Sequence, residues 1–296
     1  MSHEAAPAGG TVTVVVATRD RRADLSRTLG HLARLPEQPE VIVVDNASRD
    51  GTARLVRDQH PRVRLLRLPR NLGACARNVG VLAARTPHVA FSDDDSWWAP
   101  GALAAAARLL DAYPALGLVA ARTLVGPQGR PDPVNELLAR SPLPPAGRLP
   151  GPRVLGFLAC AAVVRREAFL AAGGFSPLLF FGGEEQLLAY DLAAAGWHAS
   201  YCPQVVAHHF PSGSRNSRQR GYLEARNRLL VAWLRRPWPA AWTATAGLAG
   251  QASRDRLAAR ALAGALARAP LAVAQRRVVP PDVEAAIGVL TRHQPH

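Results

Sequence analysis

The chain has 296 residues, with 36 Lys+Arg against 22 Asp+Glu, a formal net charge of +14. All 36 basic residues are arginine, which excludes chemistry that needs a lysine: phosphate-loop and kinase-type phosphoryl transfer, and Schiff-base catalysis. A hydrophobic fraction of 48% over this length allows a large buried core in one or two domains.

The first 120 residues alternate strand and helix. Residues 11–18 (TVTVVVAT) form an unbroken, mostly β-branched run that predicts a fully buried strand. Residues 23–35 carry leucines at 25, 29, 32 and 35, a helical spacing. Residues 40–45 (EVIVVD) predict a second strand, and residues 50–60 a helix that Ser48 or Asp50 caps. A strand at 63–68, a helix at 73–84, a strand at 88–92, an alanine-rich helix at 99–113 and a strand at 116–121 follow. Continuous apolar strands alternating with helices predict an α/β fold, a mostly parallel sheet covered on both faces.

Eight prolines between residues 122 and 152 mark a surface excursion. A strand is expected at 156–164, a helix at 184–195 closed by Gly196, and a short strand at 198–202. An amphipathic helix is expected at 219–235, ending at Pro237, with an Ala/Arg-rich helical tail to about residue 278.

Charge is uneven along the chain. Residues 1–200 hold 22 Arg and 18 acids, whereas residues 201–296 hold 14 Arg and 4 acids. The excess therefore lies in the C-terminal third and implies an anionic partner: nucleic acid, a membrane surface or a phosphorylated substrate. Cys75, Cys160 and Cys202 have neither pairing nor zinc spacing, so reduced thiols in a cytoplasmic protein are expected. Residues 1–10 contain Glu4 and no apolar stretch, so no secretory leader is expected. The longest uncharged run, residues 237–253, is interrupted by proline and glycine and falls short of the roughly 20 residues of a membrane span.

In an open parallel sheet, ligands bind beyond the carboxyl ends of the strands. Polar residues collect there: Thr18-Arg19-Asp20-Arg21, Asp45-Asn46-Ala47-Ser48, Arg70-Asn71-Leu72-Gly73 with Arg77-Asn78, and Asp93-Asp94-Asp95. In an extended segment Asp93 and Asp95 point the same way and can share a hard divalent cation, for which oxygen ligands favour Mg²⁺ or Mn²⁺. A helix-capping role for Asp95 or Ser96 is the other reading of the same run.

The ordered motifs VIVVDNASRDGT (41–52), RNLGACARNVG (70–80), FSDDDSWW (91–98), GGF (173–175), FGGEEQLLAYDLAAAGW (181–197) and VVAHH (205–209) resemble a family 2 glycosyltransferase with the GT-A fold. The resemblance covers roughly residues 11–236. It implies a nucleotide-sugar-binding half at 11–121 and an acceptor and catalytic half at 122–236, with residues 1–10 and a basic helical tail at 237–296 outside them. It places Asp45 on the donor's base, with Thr18, Arg19 and Asn46 in the same pocket. Arg77 holds the nucleotide, Asp93 and Asp94 lie near ribose and metal, and Asp95 is the metal ligand.

His208 corresponds to the family's later histidine near the metal, with His209 as its substitute. At Glu184-Glu185 the family usually has Glu-Asp, the second acid being the catalytic base; here Glu185 stands in that place, its carboxylate ~1.5 Å further out, and Glu184 is the alternative base. The expected partners are a nucleoside-diphosphate sugar and a hydroxyl acceptor, the cofactor Mn²⁺ or Mg²⁺, and the outcome inversion at the anomeric carbon.

Several features carry two readings. Trp97 and Trp98 either line the donor pocket or pack in the core. Arg215, in the Gly/Ser-rich stretch after His209, either closes over the donor diphosphate or belongs to a solvated basic loop. In the tail, Trp233, Trp238 and Trp242 among arginines suit an anionic membrane surface, placing the protein peripherally on the inner face of the plasma membrane, or pack back on the domain. Two other classes compete with glycosyl transfer. A nucleotidyltransferase would carry a glycine-rich first loop with a lysine, and this chain has none. A polyanion-binding protein would show a nucleic-acid motif, and none appears.

Overall fold

The computed structural model describes residues 10–211 and 217–293. In chain order the elements are β1 (Val12–Thr18), α1 (Arg22–Leu32), β2 (Glu40–Asp45), α2 (Thr52–Gln59), β3 (Arg64–Arg67), α3 (Ala76–Ala83), β4 (His88–Asp93), β5 (Ser96–Trp98), α4 (Ala102–Ala112) and β6 (Leu116–Val125). Then come β7 (Arg130–Pro131), α5 (Val134–Ala139), β8 (Arg153–Val154), β9 (Ala162–Arg165), α6 (Arg166–Ala171), α7 (Glu184–Ala194), β10 (His198–His209) and α8 (Ser217–Arg235). The last four helices are α9 (Trp238–Ala252), α10 (Arg256–Leu266), α11 (Ala269–Ala274) and α12 (Pro281–His293).

One sheet runs through the molecule in the order β3-β2-β1-β4-β9-β6-β10-β5, with β7 beside β6 and β8 beside β10. The pairs β1–β2, β1–β4, β2–β3 and β6–β10 are parallel; β9 lies antiparallel between β4 and β6, and β5 runs antiparallel to β10. The unbroken apolar strands follow from having a core on each face. Val14 and Val16 of β1 and Val43 of β2 pack under α1 and α4, with Leu25, Leu29, Leu103 and Leu110. Val15, Ile42 and Val44 face α3, α6 and α7, with Val81, Phe169 and Leu188. Gly80 of α3 lies so close to β1 that a Cβ there would stand 2.3 Å from a Val15 methyl. Strand order turns outward on both sides of β1, and such a reversal leaves a crevice at the carboxyl edge.

The C-terminal helices form a third core. Leu187 and Tyr190 of α7 pack with Leu230 and Leu234 of α8, Ala261 of α10 and Ile287 of α12. The tail expected as one helical stretch is four helices. Asp255 starts α10 by accepting from the Leu257 and Ala258 amides. Among the described residues, no helix is long and apolar enough to cross a membrane.

Two strand expectations are revised. The short strand read at 198–202 and the VVAHH run are one strand, β10, bent by a register shift between Cys202 and Val206 where Pro203 interrupts the pattern. The strand read at 156–164 begins only at Ala162, after a tight turn at Ala159–Ala161.

Candidate active site

Sheet register assembles the polar edge at which the donor is expected from the sequence. Thr18 pairs with Asp45 across β1–β2, Ala17 with Asp93 across β1–β4, and Asp45 with Arg67 across β2–β3. Four strand ends therefore stand abreast. Asp45 is wholly buried, accepts from the Ser48 amide at 2.9 Å and meets Arg67 Nε at 3.4 Å. Arg19 lies at the rim, 3.4 Å from Asp20.

β4 ends at Asp93, and Asp94 and Asp95 form a tight turn into β5. The extended alternation expected for Asp93 and Asp95 is thus corrected: a turn aims the three carboxylates at three different partners. Asp93 pairs with Arg77. Asp94 accepts from the Thr18 hydroxyl at 3.1 Å. Asp95, almost sealed, lies 3.5 Å from His209 Nε2 and 4.0 Å from an Arg21 nitrogen. Burial, then the Asp93 carboxylate, pushes the Asp94 carboxyl up to about 7.

The RNLGACARNVG run is a brace between the donor edge and later chain. Asn46 donates to the Gly73 carbonyl at 3.1 Å and accepts from the Leu72 amide at 2.7 Å. Gly73 has φ +59, and a Cβ there would stand 2.1 Å from the Phe180 carbonyl oxygen. That same carbonyl accepts from the Ala74 amide at 2.7 Å. Asn78 binds both backbone groups of Phe175, donating to its carbonyl at 2.8 Å and accepting from its amide at 3.0 Å.

α7 brings the glutamates to this edge. Gly182 and Gly183 have φ +85 and +83, and the helix begins at Glu184. Glu184 is 3% exposed, and its Oε2 has no hydrogen-bond partner among the described residues. Burial, then the Glu185 carboxylate, pushes its carboxyl up to about 8. Burial raises Glu185 as well, against a backbone hydrogen bond at Ala159 and the attraction of Arg77; Asp93 adds to the rise. Arg77 is the shared cation: its burial is outweighed by Asp93 and then Glu184, so its guanidinium is held above its usual value.

Sequence reasoning missed the device that fixes α7. Asn227 of α8, fully buried, donates to the carbonyls of Leu179 and Phe181, each at 2.9 Å, and accepts from Arg226 Nε at 2.8 Å. Arg226 also reaches the Leu179 carbonyl at 2.7 Å, and Arg235 clamps Asp191 of α7 through both carboxylate oxygens. An asparagine in mid-helix, where its propensity is poor, was the available signal.

Thr18, Asp45, Asn46, Arg77, Asp93, Asp94, Asp95, Glu184 and Glu185 are thus gathered at one edge. Trp97 and His208 are not. They pair across β5–β10, and the Trp97 ring stacks on His31 of α1 at 4.0 Å and near His208 at 5.9 Å. Alternation along β10 puts His209, rather than His208, beside Asp95. Arg215 lies outside the described residues.

The model of the family described as Glycosyl transferase family 2 matches residues 13–171, more than half of the chain. The chain belongs to glycosyl transferase family 2. This glycosyltransferase is 27% identical over 275 residues to an N-acetylglucosaminyl-diphospho-decaprenol L-rhamnosyltransferase of Mycobacterium tuberculosis, covering 80% of this chain and 90% of that one. It is 32% identical over 225 residues to the pre-mycofactocin glycosyltransferase of the same organism, covering 70% of this chain and 45% of that one. In fold it is similar to a mannosyltransferase from Pyrobaculum calidifontis solved with GDP-Man and Mn²⁺, at a TM-score of 0.58 and 23% identity over 97% of this chain and 77% of that one.

Proposed function

We propose that this enzyme moves a sugar from a nucleoside-diphosphate sugar to an acceptor hydroxyl in one inverting displacement that depends on a divalent cation. The observation that carries the reading is Arg77, buried between Asp93 of the donor edge and the two glutamates of α7. Base and donor carboxylates thereby face one space.

Asp45, at the floor, would accept from the base of the nucleotide. Glu185 is assigned as the base that takes the acceptor's proton: it is influenced by Asp93, whereas Glu184 is sealed beside Cys75, whose thiol burial and Glu184 push up to about 11. The proton passes to Glu185 as the hydroxyl oxygen bonds to the anomeric carbon and the bond to the nucleoside diphosphate breaks on the opposite face. Arg77, already engaged by Asp93, keeps its charge and fixes both groups rather than exchanging protons.

The donor set fits a hard cation. Asp93 and Asp95 offer oxygen and His209 an imidazole nitrogen, so these residues would hold Mn²⁺ or Mg²⁺. Among the described residues no three such side chains are grouped around a common point. When bound, the ion supplies positive charge to the leaving diphosphate.

Thermal shift with UDP-, GDP- and dTDP-sugars in the presence of Mn²⁺ or Mg²⁺ tests the reading, with Asp95→Ala as control. At least one donor stabilises the wild type and none stabilises the variant; no shift with any donor sinks it. NMR of the new linkage tests inversion, and a retained anomeric configuration rejects the single displacement.

Peripheral attachment to an anionic membrane is the finer proposal for the tail. Trp238 and Trp242 are exposed and stacked at 6.1 Å, with Arg276 over Trp238 at 3.9 Å. Trp242→Ala is expected to weaken sedimentation with phosphatidylglycerol vesicles, and an unchanged bound fraction rejects the attachment.

A further inference from the structure

The ribbon made by β5 and β10 has two faces. His209 lies on one, with Asp95 of the turn before β5 beside it; Trp97 and His208 lie on the other. On this second face the Trp97 ring lies parallel to His31 within 4°, and Phe210 continues the row at 6.5 Å. Beside the row opens a cavity of about 580 Å³, walled by α1, the ribbon and the turn at residues 126–129. That volume falls within the range of small-molecule sites.

The lining has one sign of charge. Arg27 of α1 and Arg34, just past the end of that helix, border the cavity together with His31 and His208, and no carboxylate lines it among the described residues. Arg27 is pre-positioned: one guanidinium nitrogen is 2.7 Å from Asp24, and its plane lies over the Phe210 ring at 4.5 Å. Its Nε is buried and has no hydrogen-bond partner among the described residues. Arg34 is exposed and forms no ion pair among the described residues. Two guanidiniums bordering one groove match the oxygens of a phosphate. Trp97 and Phe210 offer apolar surface to the carbon skeleton attached to it.

We propose that this groove is a binding site for a phosphate-bearing carbohydrate, separate from the donor edge. It does not rest on the donor reading, because its residues lie on the opposite face of the ribbon from Asp95 and His209. The ligand's phosphate meets Arg27 and Arg34, while its sugar ring lies against the aromatic row. No covalent step is involved.

Calorimetric titration of the full chain with glucose 1-phosphate, with Mn²⁺ present and UDP at saturation, tests the site. Glucose 1-phosphate is expected to bind with UDP present. Arg34→Gln should weaken it about tenfold, the loss of one charge-assisted contact. Arg34 is exposed, so this variant keeps its melting temperature; Arg27→Gln serves as the second variant. Wild-type affinity in both variants overturns the site, and displacement of glucose 1-phosphate by UDP reassigns the binding to the donor edge and overturns it too. Inorganic phosphate, the other source of the same anion, is expected to bind more weakly. Equal affinity would reduce the groove to a bare anion site and overturn the carbohydrate assignment. Failure here leaves the donor thermal shifts untouched.

Discussion

The two groups of carboxylates in this enzyme are held in opposite ways. At the donor edge, Asp45 and Asp93 are strand ends, placed by the register of neighbouring β1. At the proposed base, Glu184 and Glu185 open a helix whose approach loop is held by Arg226 and Asn227, more than 40 positions further on. Register is a property of short hydrophobic runs; the loop lock is a property of the assembled tertiary structure. Substitutions at the first group should therefore act on donor binding, and those at the second on turnover.

The largest effect expected is on turnover in Glu185→Gln. Removal of a positioned base costs about 10²–10⁴ in rate, with donor-induced thermal shift retained. Turnover near the wild-type rate, with Glu184→Gln inactive instead, would exchange the two roles. Next is Gly73→Ala, which meets the Phe180 carbonyl at 2.1 Å in a left-handed backbone. It should cost roughly 1–3 kcal/mol in denaturant unfolding and weaken donor binding, and a variant as stable as wild type would mean the brace yields freely.

Asn227→Ala leaves the buried Leu179 carbonyl and the partly buried Phe181 carbonyl without this donor. A loss of about 1–3 kcal/mol follows, and kcat should fall more than donor affinity does. Equal falls in both would erase the distinction between the two groups.

A separate effect is expected in the pH dependence of apoprotein stability. Asp94 and Glu184 are raised to about 7 and about 8, so the folded chain keeps protons that the unfolded chain has released above about pH 4–5. Their contribution is complete below that range and is lost as pH rises through about 7 and then 8. Each group lowers stability by up to about 1.4 kcal/mol per pH unit while its proton is held only in the folded state. Denaturation at pH 5 and 8 should show a shallower loss in Glu184→Gln than in wild type; identical slopes would mean that Glu184 is not held protonated.

What was legible in the sequence follows the same division. The α/β fold could be read because Val14–Val16 and Ile42–Val44 bury both faces of their strands. The strand-end acids could be read for the same reason. The orientation of Trp97 could not, because Asp94 and Asp95 turn where alternation assumes extended chain. His209 was legible as the substitute for His208, but the choice between them was not, since the register shift at Cys202–Val206 resets which residue faces which side. Arg235 and Arg236 count toward the charge excess of residues 201–296, yet they pair with Asp191 and Glu284. Part of the excess in the C-terminal third is structural mortar between helices, with no anionic partner needed to explain it.

The carbonyl of Phe180 that seats Ala74 has a consequence for the newborn chain. All the donor-edge acids leave the ribosome before Phe180 does, and Asn227, which steadies that loop, comes later still. At ~5–20 residues per second, the first half of the enzyme spends seconds as a sheet with an unfinished pocket. Its carboxylates are made early and become a binding site late.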